Sequence, residues 1–261
     1  MKNNVFMPGL LQEIGFIQLV FLFLTLAMTN VCFGAPQTNV IGWSDDFANY
    51  TNQTPLIDGT NGWYASLAEC IVSQGIGIAG SQAAVVPTDV TLSNRFSNVY
   101  TRVVSLDMYV QPQMYNGTNY SNLAMSSDAA AQFFVNSNGY FMVGNGTNWI
   151  EARTMFNGTP AIAITNSNYT RVQVNLRYKN HTWNLKAWSN STLVASTHYV
   201  NFTSNLNTFG GFNVYNGNAT SFVDEVSVVT GRQSLVNGVP FDTIKKMNGT
   251  LPPAAVNGVN D

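Results

Sequence analysis

Residues 171–188 read RVQVNLRYKNHTWNLKAW. Apolar and polar residues alternate up to Tyr178, a short polar break follows, and the alternation resumes from Thr182. Side chains on a strand point to opposite faces with period two, so this is the pattern of a β-hairpin in a sheet with one apolar face. Val172, Val174, Leu176 and Tyr178 fall on one side, with Trp183, Leu185 and Ala187 joining them from the partner strand. Arg171, Gln173, Asn175, Arg177, Lys186 and Trp188 fall on the other.

The same texture extends in both directions. Segments 103–110, 131–136, 140–144, 147–153, 161–164, 170–179, 182–188, 191–200, 209–215 and 221–229 are short, rich in aromatic and β-branched residues, and separated by polar turns. No helical period is sustained. Nine Asn-Gly pairs punctuate the chain, and both residues of such a pair tolerate positive φ, as tight hairpins require. Hairpins at 136–140, 144–148 and 179–183 predict a continuous antiparallel meander. The expected fold is all-β: a two-sheet antiparallel β-sandwich over residues 35–229.

The ends of the chain differ from its middle. Residues 16–28, FIQLVFLFLTLAM, form an apolar run after Lys2, with small residues near Gly34 and Ala35. That run predicts a cleaved secretory signal over 1–34, no membrane span in the mature chain, and a secreted or cell-surface location. Beyond Thr230, aromatic residues become scarce, Pro-Pro appears and Asn-Gly recurs, which predicts an extended tail or linker over 230–261. Cys32 leaves with the signal, so Cys70 stands alone in an apolar context and reads as a buried thiol.

Charged residues make up 9% of the 261 and the formal net charge is −2. No basic stripe for nucleic acid is present. Hydration falls to neutral polar side chains, including 33 Asn. Asn-x-Ser/Thr triplets occur twelve times, against about five or six from composition. Four are Asn-Gly-Thr, so turn chemistry accounts for part of the excess.

Three stretches resemble concanavalin A-like lectin/glucanase jelly rolls of secreted bacterial proteins, laminin-G-like modules included. They are WSDDFANYTNQTPLIDGTNGWYAS (43–66), RVQVNLRYKNHTWNLKAWSNSTLVAS (171–196) and FGGFNVYNGNATSFVDEVSVV (209–229). The resemblance implies two stacked sheets with a ligand site on the concave face, and favours turn chemistry over glycans for the triplets. It also implies, for enzymatic members, a Glu-x-Asp-x-Glu strand that puts paired acids on one face. That pattern is missing. Glu69, Glu151 and Glu225 have no acidic partner two residues away, and the adjacent Asp224 and Glu225 should face opposite sides. No Gly-x-Ser-x-Gly elbow exists either.

The expectation is therefore a non-catalytic, lectin-like module that binds a polysaccharide or other glycan. A structural or adhesive module contacting another surface protein is the alternative, and a glycan hydrolase the third reading. Aromatic rings stack on sugars while Asn, Asp and Arg bond hydroxyls. Candidate binding residues are Asp107, Tyr109, Asn175, Arg177, Trp188, Asn213 and Tyr215, with Trp188 foremost. No cofactor is required. Asp46 and Asp224 are candidate ligands for a structural calcium ion between the first and last strands, although no Asp-rich loop has calcium-ligand spacing.

Overall fold

The 171–188 stretch forms the hairpin its alternation predicts. Strands β10 (Thr170–Arg177) and β11 (Thr182–Ser189) pair antiparallel, with Arg171 opposite Trp188, Val174 opposite Leu185 and Leu176 opposite Trp183. This computed structural model describes residues 38–57, 59–99, 102–115, 124–153, 160–217, 219–231, 235–236 and 239–240. The expected signal over 1–34 and nearly all of the expected tail over 230–261 lie outside the described residues. Contacts divide the chain into Met1–Gln37 and Thr38–Asp261, and only the second unit holds described residues.

The hairpin lies in a nine-stranded sheet. Its order is β12 (Thr192–Ser196), β11, β10, β6 (Val103–Gln111), β15 (Ser221–Thr230), β4 (Gln82–Val86) and β3 (Ile71–Gln74). β1 (Trp43–Asp45) pairs with β15, and β13 (Val200–Asn201) with β11. A second sheet runs β14 (Phe209–Asn216), β5 (Val90–Val99), β2 (Trp63–Ala65). A third is the meander β7 (Phe133–Val135), β8 (Phe141–Gly144), β9 (Trp149–Glu151). A ribbon joins β16 (Leu235–Val236) to β17 (Val239–Pro240).

The chain is thus essentially all-β and antiparallel, but its strands divide among several open sheets rather than two. The Asn-Gly turns at 138–139 and 145–146 do close hairpins, with Gly139 at φ 82° and Gly146 at φ 94°. The expected continuous meander is broken, because β7–β9 form their own sheet and β10 pairs with β6 instead. Segment 161–164 is not a strand. Ile162 N–H donates to Val194 and Ile164 N–H to Gly139, so its bonds go to separate elements.

One buried cluster runs through the principal and second sheets. Val104, Leu106, Val172, Val174, Leu185 and Val228 join Val90, Leu92, Phe96 and Phe209 in it. Cys70 is buried there as a free thiol, and burial pushes it up to about 12. At one end the rings of Trp43 and Phe47, from β1 and the turn after it, lie 5.6 and 5.5 Å from that of Trp63 on β2. Phe212 meets Trp63 edge-on at 5.7 Å. Trp63 is fully buried, and its Nε1 donates to Asp45 Oδ2 at 2.8 Å. Trp63→Ala removes a fully buried ring and one of the donors to Asp45 Oδ2. A loss of about 3–5 kcal/mol is expected, read as a lower midpoint in equilibrium urea unfolding; an unchanged midpoint would place the junction elsewhere.

Candidate active site

The polar side of β10 is not a solvated face. Thr170 to Leu176 are buried without exception, so Arg171, Gln173 and Asn175 sit out of water. Buried polar groups need partners, and these find them across the strands. Arg171 grips Asp107 of β6 bidentately, Nε to Oδ1 at 2.9 Å and Nη2 to Oδ2 at 2.7 Å. Gln173 Nε2 donates to the same carboxylate at 3.4 Å. Ser105 Oγ donates to Asn175 Oδ1 at 2.6 Å, and Asn175 Nδ2 to Asn184 Oδ1 at 3.1 Å. The Arg171 guanidinium carbon lies 5.8 Å from the Tyr109 ring and 5.9 Å from that of Trp188. Burial pulls the Arg171 pKa down, but the bonds and charge of Asp107, aided by Tyr109, outweigh it and the net shift is upward. The cation is fixed.

Beside this row, β15 carries one residue too many. Asp224 pairs with Tyr109 and Ser227 with Asp107, so three steps on β15 match two on β6. Glu225 falls in this bulge at φ 46°, a left-handed conformation that a non-glycine residue seldom adopts. Asp224 holds the bulge in place. Its Oδ1 accepts from the Glu225 N–H at 2.8 Å, and its Oδ2 from Ile78 N–H and Ser81 Oγ, each at 2.9 Å. Gly77 is required here, since a Cβ on it would meet Asp224 Oδ2 at 2.7 Å.

These elements line a cleft of about 920 Å³. Asp107, Tyr109 and Arg171 come from β6 and β10, and Glu225 to Ser227 from β15. Asp45, Asp46, Tyr50 and Asn61 come from β1 and the segments beyond it. Three acids around the cleft are committed. Asp107 is held by Arg171. Asp224 is held by the bulge and the 78–81 turn. Asp45 accepts from Phe47 N–H at 2.9 Å, Tyr50 Oη at 2.7 Å, Asn61 Nδ2 at 2.8 Å and Trp63 Nε1. Asp46 and Glu225 are exposed. Partial burial raises the Glu225 pKa, the charge of Asp224 raises it further, Arg171 pulls it back, and Asp46 and Asp107 add upward pushes. Burial also raises Asp224, against the lowering effect of its three donors. An acid perturbed in this way in a polar cleft is a candidate for proton transfer.

Of the sequence candidates, Asp107, Tyr109 and Asp46 line the cleft. Asn175 lies buried in the polar row, Trp188 half-buried beyond Arg171, and Arg177 stacks over Tyr199 at 4.1 Å. Asn213 and Tyr215 are elsewhere: both are exposed on β14 of the second sheet, where Tyr215 Oη donates to Asp89. Asp46 and Asp224 are near enough for the charge of Asp46 to raise the Asp224 pKa. Among the described residues, no group of three or more His, Cys, Asp or Glu is placed to hold a metal ion. Sequence reasoning missed Glu225, because strict alternation opposes it to Asp224, and it missed Arg171 as the floor of a site. Nothing in SFVDEVSVV marks the bulge, apart from two adjacent acids in a largely apolar strand.

No protein-family model matches the sequence, and no curated protein matches it. Solved structures do resemble the fold. A sialidase aligns at 10% identity and TM-score 0.47, over 76% of this chain and 19% of that one. This chain therefore spans about a fifth of that sialidase. Domain 4 of a GH43 extracellular arabinanase from Geobacillus stearothermophilus, in complex with arabinotriose, aligns at 15% identity and TM-score 0.44, over 77% and 96%. An alginate lyase aligns at 10% identity and TM-score 0.44, over 76% and 100%. These are likenesses of fold, to a β-sandwich shared by various carbohydrate-active proteins and not specific to concanavalin A-like lectins. The neighbours named here are glycan-degrading enzymes or a domain of one, and on that finding the expectation of a non-catalytic, lectin-like or adhesive module with no enzymatic activity does not stand.

The ion pair in the cleft floor yields a quantitative expectation. Asp107→Ala or Arg171→Ala alone leaves one buried charge unpaired and should cost about 3–5 kcal/mol. The double substitution should cost clearly less than the sum, by a coupling of about 1–3 kcal/mol in a urea-denaturation cycle. Strict additivity would show that the two groups do not depend on each other.

Proposed function

We propose that this protein is a glycan-cleaving enzyme acting outside the cell, with Glu225 as its general acid. The observation that carries this reading is the bulge: an exposed acid, fixed at positive φ in a polar cleft, with its pKa pushed upward. A polysaccharide suits the cleft because its walls offer carboxylate, amide, phenol and guanidinium groups to sugar hydroxyls. Glycosidic cleavage by hydrolysis needs two carboxyl groups, one to protonate the leaving oxygen and one to act on the other side of the bond. Asp46 is the second acid, being exposed on the cleft wall, with its Oδ1 accepting from the Ala48 N–H at 3.0 Å. Arg171, neutralised by Asp107, and Tyr109 lie at the floor, where a guanidinium and a phenol suit sugar hydroxyls. The apolar run at 16–28 supports export, and no helix among the described residues is long and apolar enough to cross a membrane.

The test is release of reducing ends from a panel of polysaccharides. Glu225→Gln and Asp46→Asn should each lower the rate about 10²–10⁴-fold, with far-UV circular dichroism unchanged. Cleavage unaffected by both, or no cleavage of any polymer by the wild type, would overturn the assignment. The pH dependence has a definite sign. Glu225 must be protonated to act, and its raised pKa keeps it protonated to higher pH than an ordinary glutamate. The descending limb of kcat/KM should therefore lie above the usual carboxylate range.

A further inference from the structure

The buried asparagines and the triplet asparagines do not overlap. Asn94, Asn136, Asn175, Asn184 and Asn216 are buried, and each has a side-chain hydrogen bond. None heads an Asn-x-Ser/Thr triplet. The triplets have seven of their Asn among the described residues, and none of these is buried. Asn49, Asn52, Asn168, Asn180, Asn190 and Asn201 are exposed. Asn145, half-buried, is the one followed by Gly, and its Oδ1 caps its own turn by accepting from Thr147 and Asn148 N–H. The six exposed ones precede Tyr, Gln, Tyr, His, Ser and Phe, so Asn-Gly turn chemistry does not produce them.

We infer that the chain is N-glycosylated at Asn52, Asn168, Asn180, Asn190 and Asn201. The chemistry is group transfer from a lipid-linked oligosaccharide by a secretory-pathway transferase. The Asn Nδ2 loses a proton and bonds to C1 of the first sugar, while the C1–O bond to the lipid diphosphate breaks and the diphosphate leaves with the electron pair. Transfer takes place on the extended chain, so burial of Thr170 in the fold does not oppose it. The fold has only to leave the Asn side chain open. Asn49 is set apart because it lines the cleft.

A physical need is met by glycans here. Charged residues make up 9% of the chain, against about 25% in a typical soluble domain, and glycans hydrate a surface without charge. Thr182 pairs with Asn201 and Thr170 with Ser189, so Asn180 and Asn201 mark one end of the β10–β11 hairpin, and Asn168 and Asn190 the other.

The experiment is peptide mapping of the protein purified from its own source, before and after peptide N-glycosidase, which leaves Asp at each occupied site. The expected result is a fall in intact mass, with Asp appearing at 52, 168, 180, 190 and 201. Unmodified Asn at these positions before treatment would overturn the inference. In the full chain secreted by a eukaryotic host, Asn190→Gln with Asn201→Gln should lower the intact mass by two oligosaccharides; a mass lowered by none would overturn the assignment of these two sites. Neither outcome depends on the enzymatic reading.

Discussion

The bidentate pair of Asp107 and Arg171 ties β6 to β10 in the principal sheet, where both partners are buried beneath the cleft. A guanidinium out of water is tolerated only when its charge and donors are matched, and breaking such a pair is far more costly than never having built it. The pair therefore fixes the register of the surrounding polar row. Gln173 adds its amide to the same carboxylate, and Ser105, Asn175 and Asn184 continue the row along the strands. The aromatic rings of Tyr109 and Trp188 stand on either side of the cation. The cleft has a rigid floor because this row is rigid.

On that floor the extra residue of β15 becomes meaningful. A bulge re-aims a side chain that regular pleating would send elsewhere, and backbone strain persists only where the surroundings enforce it. Asp224 does the enforcing, through three hydrogen bonds that join the bulge to the 78–81 turn. Asp224 is thus structural while its neighbour is exposed in the cleft. Two adjacent acids acquire different roles from a single inserted residue, because one accepts every donor in reach and the other stands in partial burial beside further negative charge.

Legibility followed the range of the interactions. The β10–β11 hairpin and the Asn-Gly turns of the β7–β9 meander depend on local alternation and on positive φ, and both were readable from the residues alone. β5 was harder, because VTLSNRFSNV puts Asn94 at an inward position, where it bonds to Asn39 and the Asn61 carbonyl instead of packing as an aliphatic residue. The division of strands among several sheets depends on pairings distant in sequence, such as β6 with β15 and β5 with β14. For the site, Asp107 and Tyr109 were legible as members of a polar face. The covering of that face was not, nor was the bulge: alternation presumes an unbroken pleat, and composition does not reveal where one extra residue enters.

The central claim is that Glu225 holds its proton to higher pH than an ordinary glutamate, in a position from which it can deliver it. The chain contains four glutamates, so carbon-detected NMR titration of their side-chain carboxyl groups can resolve each one. The account predicts one resonance with a midpoint clearly above the ordinary value of about 4.3, absent from Glu225→Gln. A resonance that vanishes in that variant but titrates at the ordinary value would contradict it.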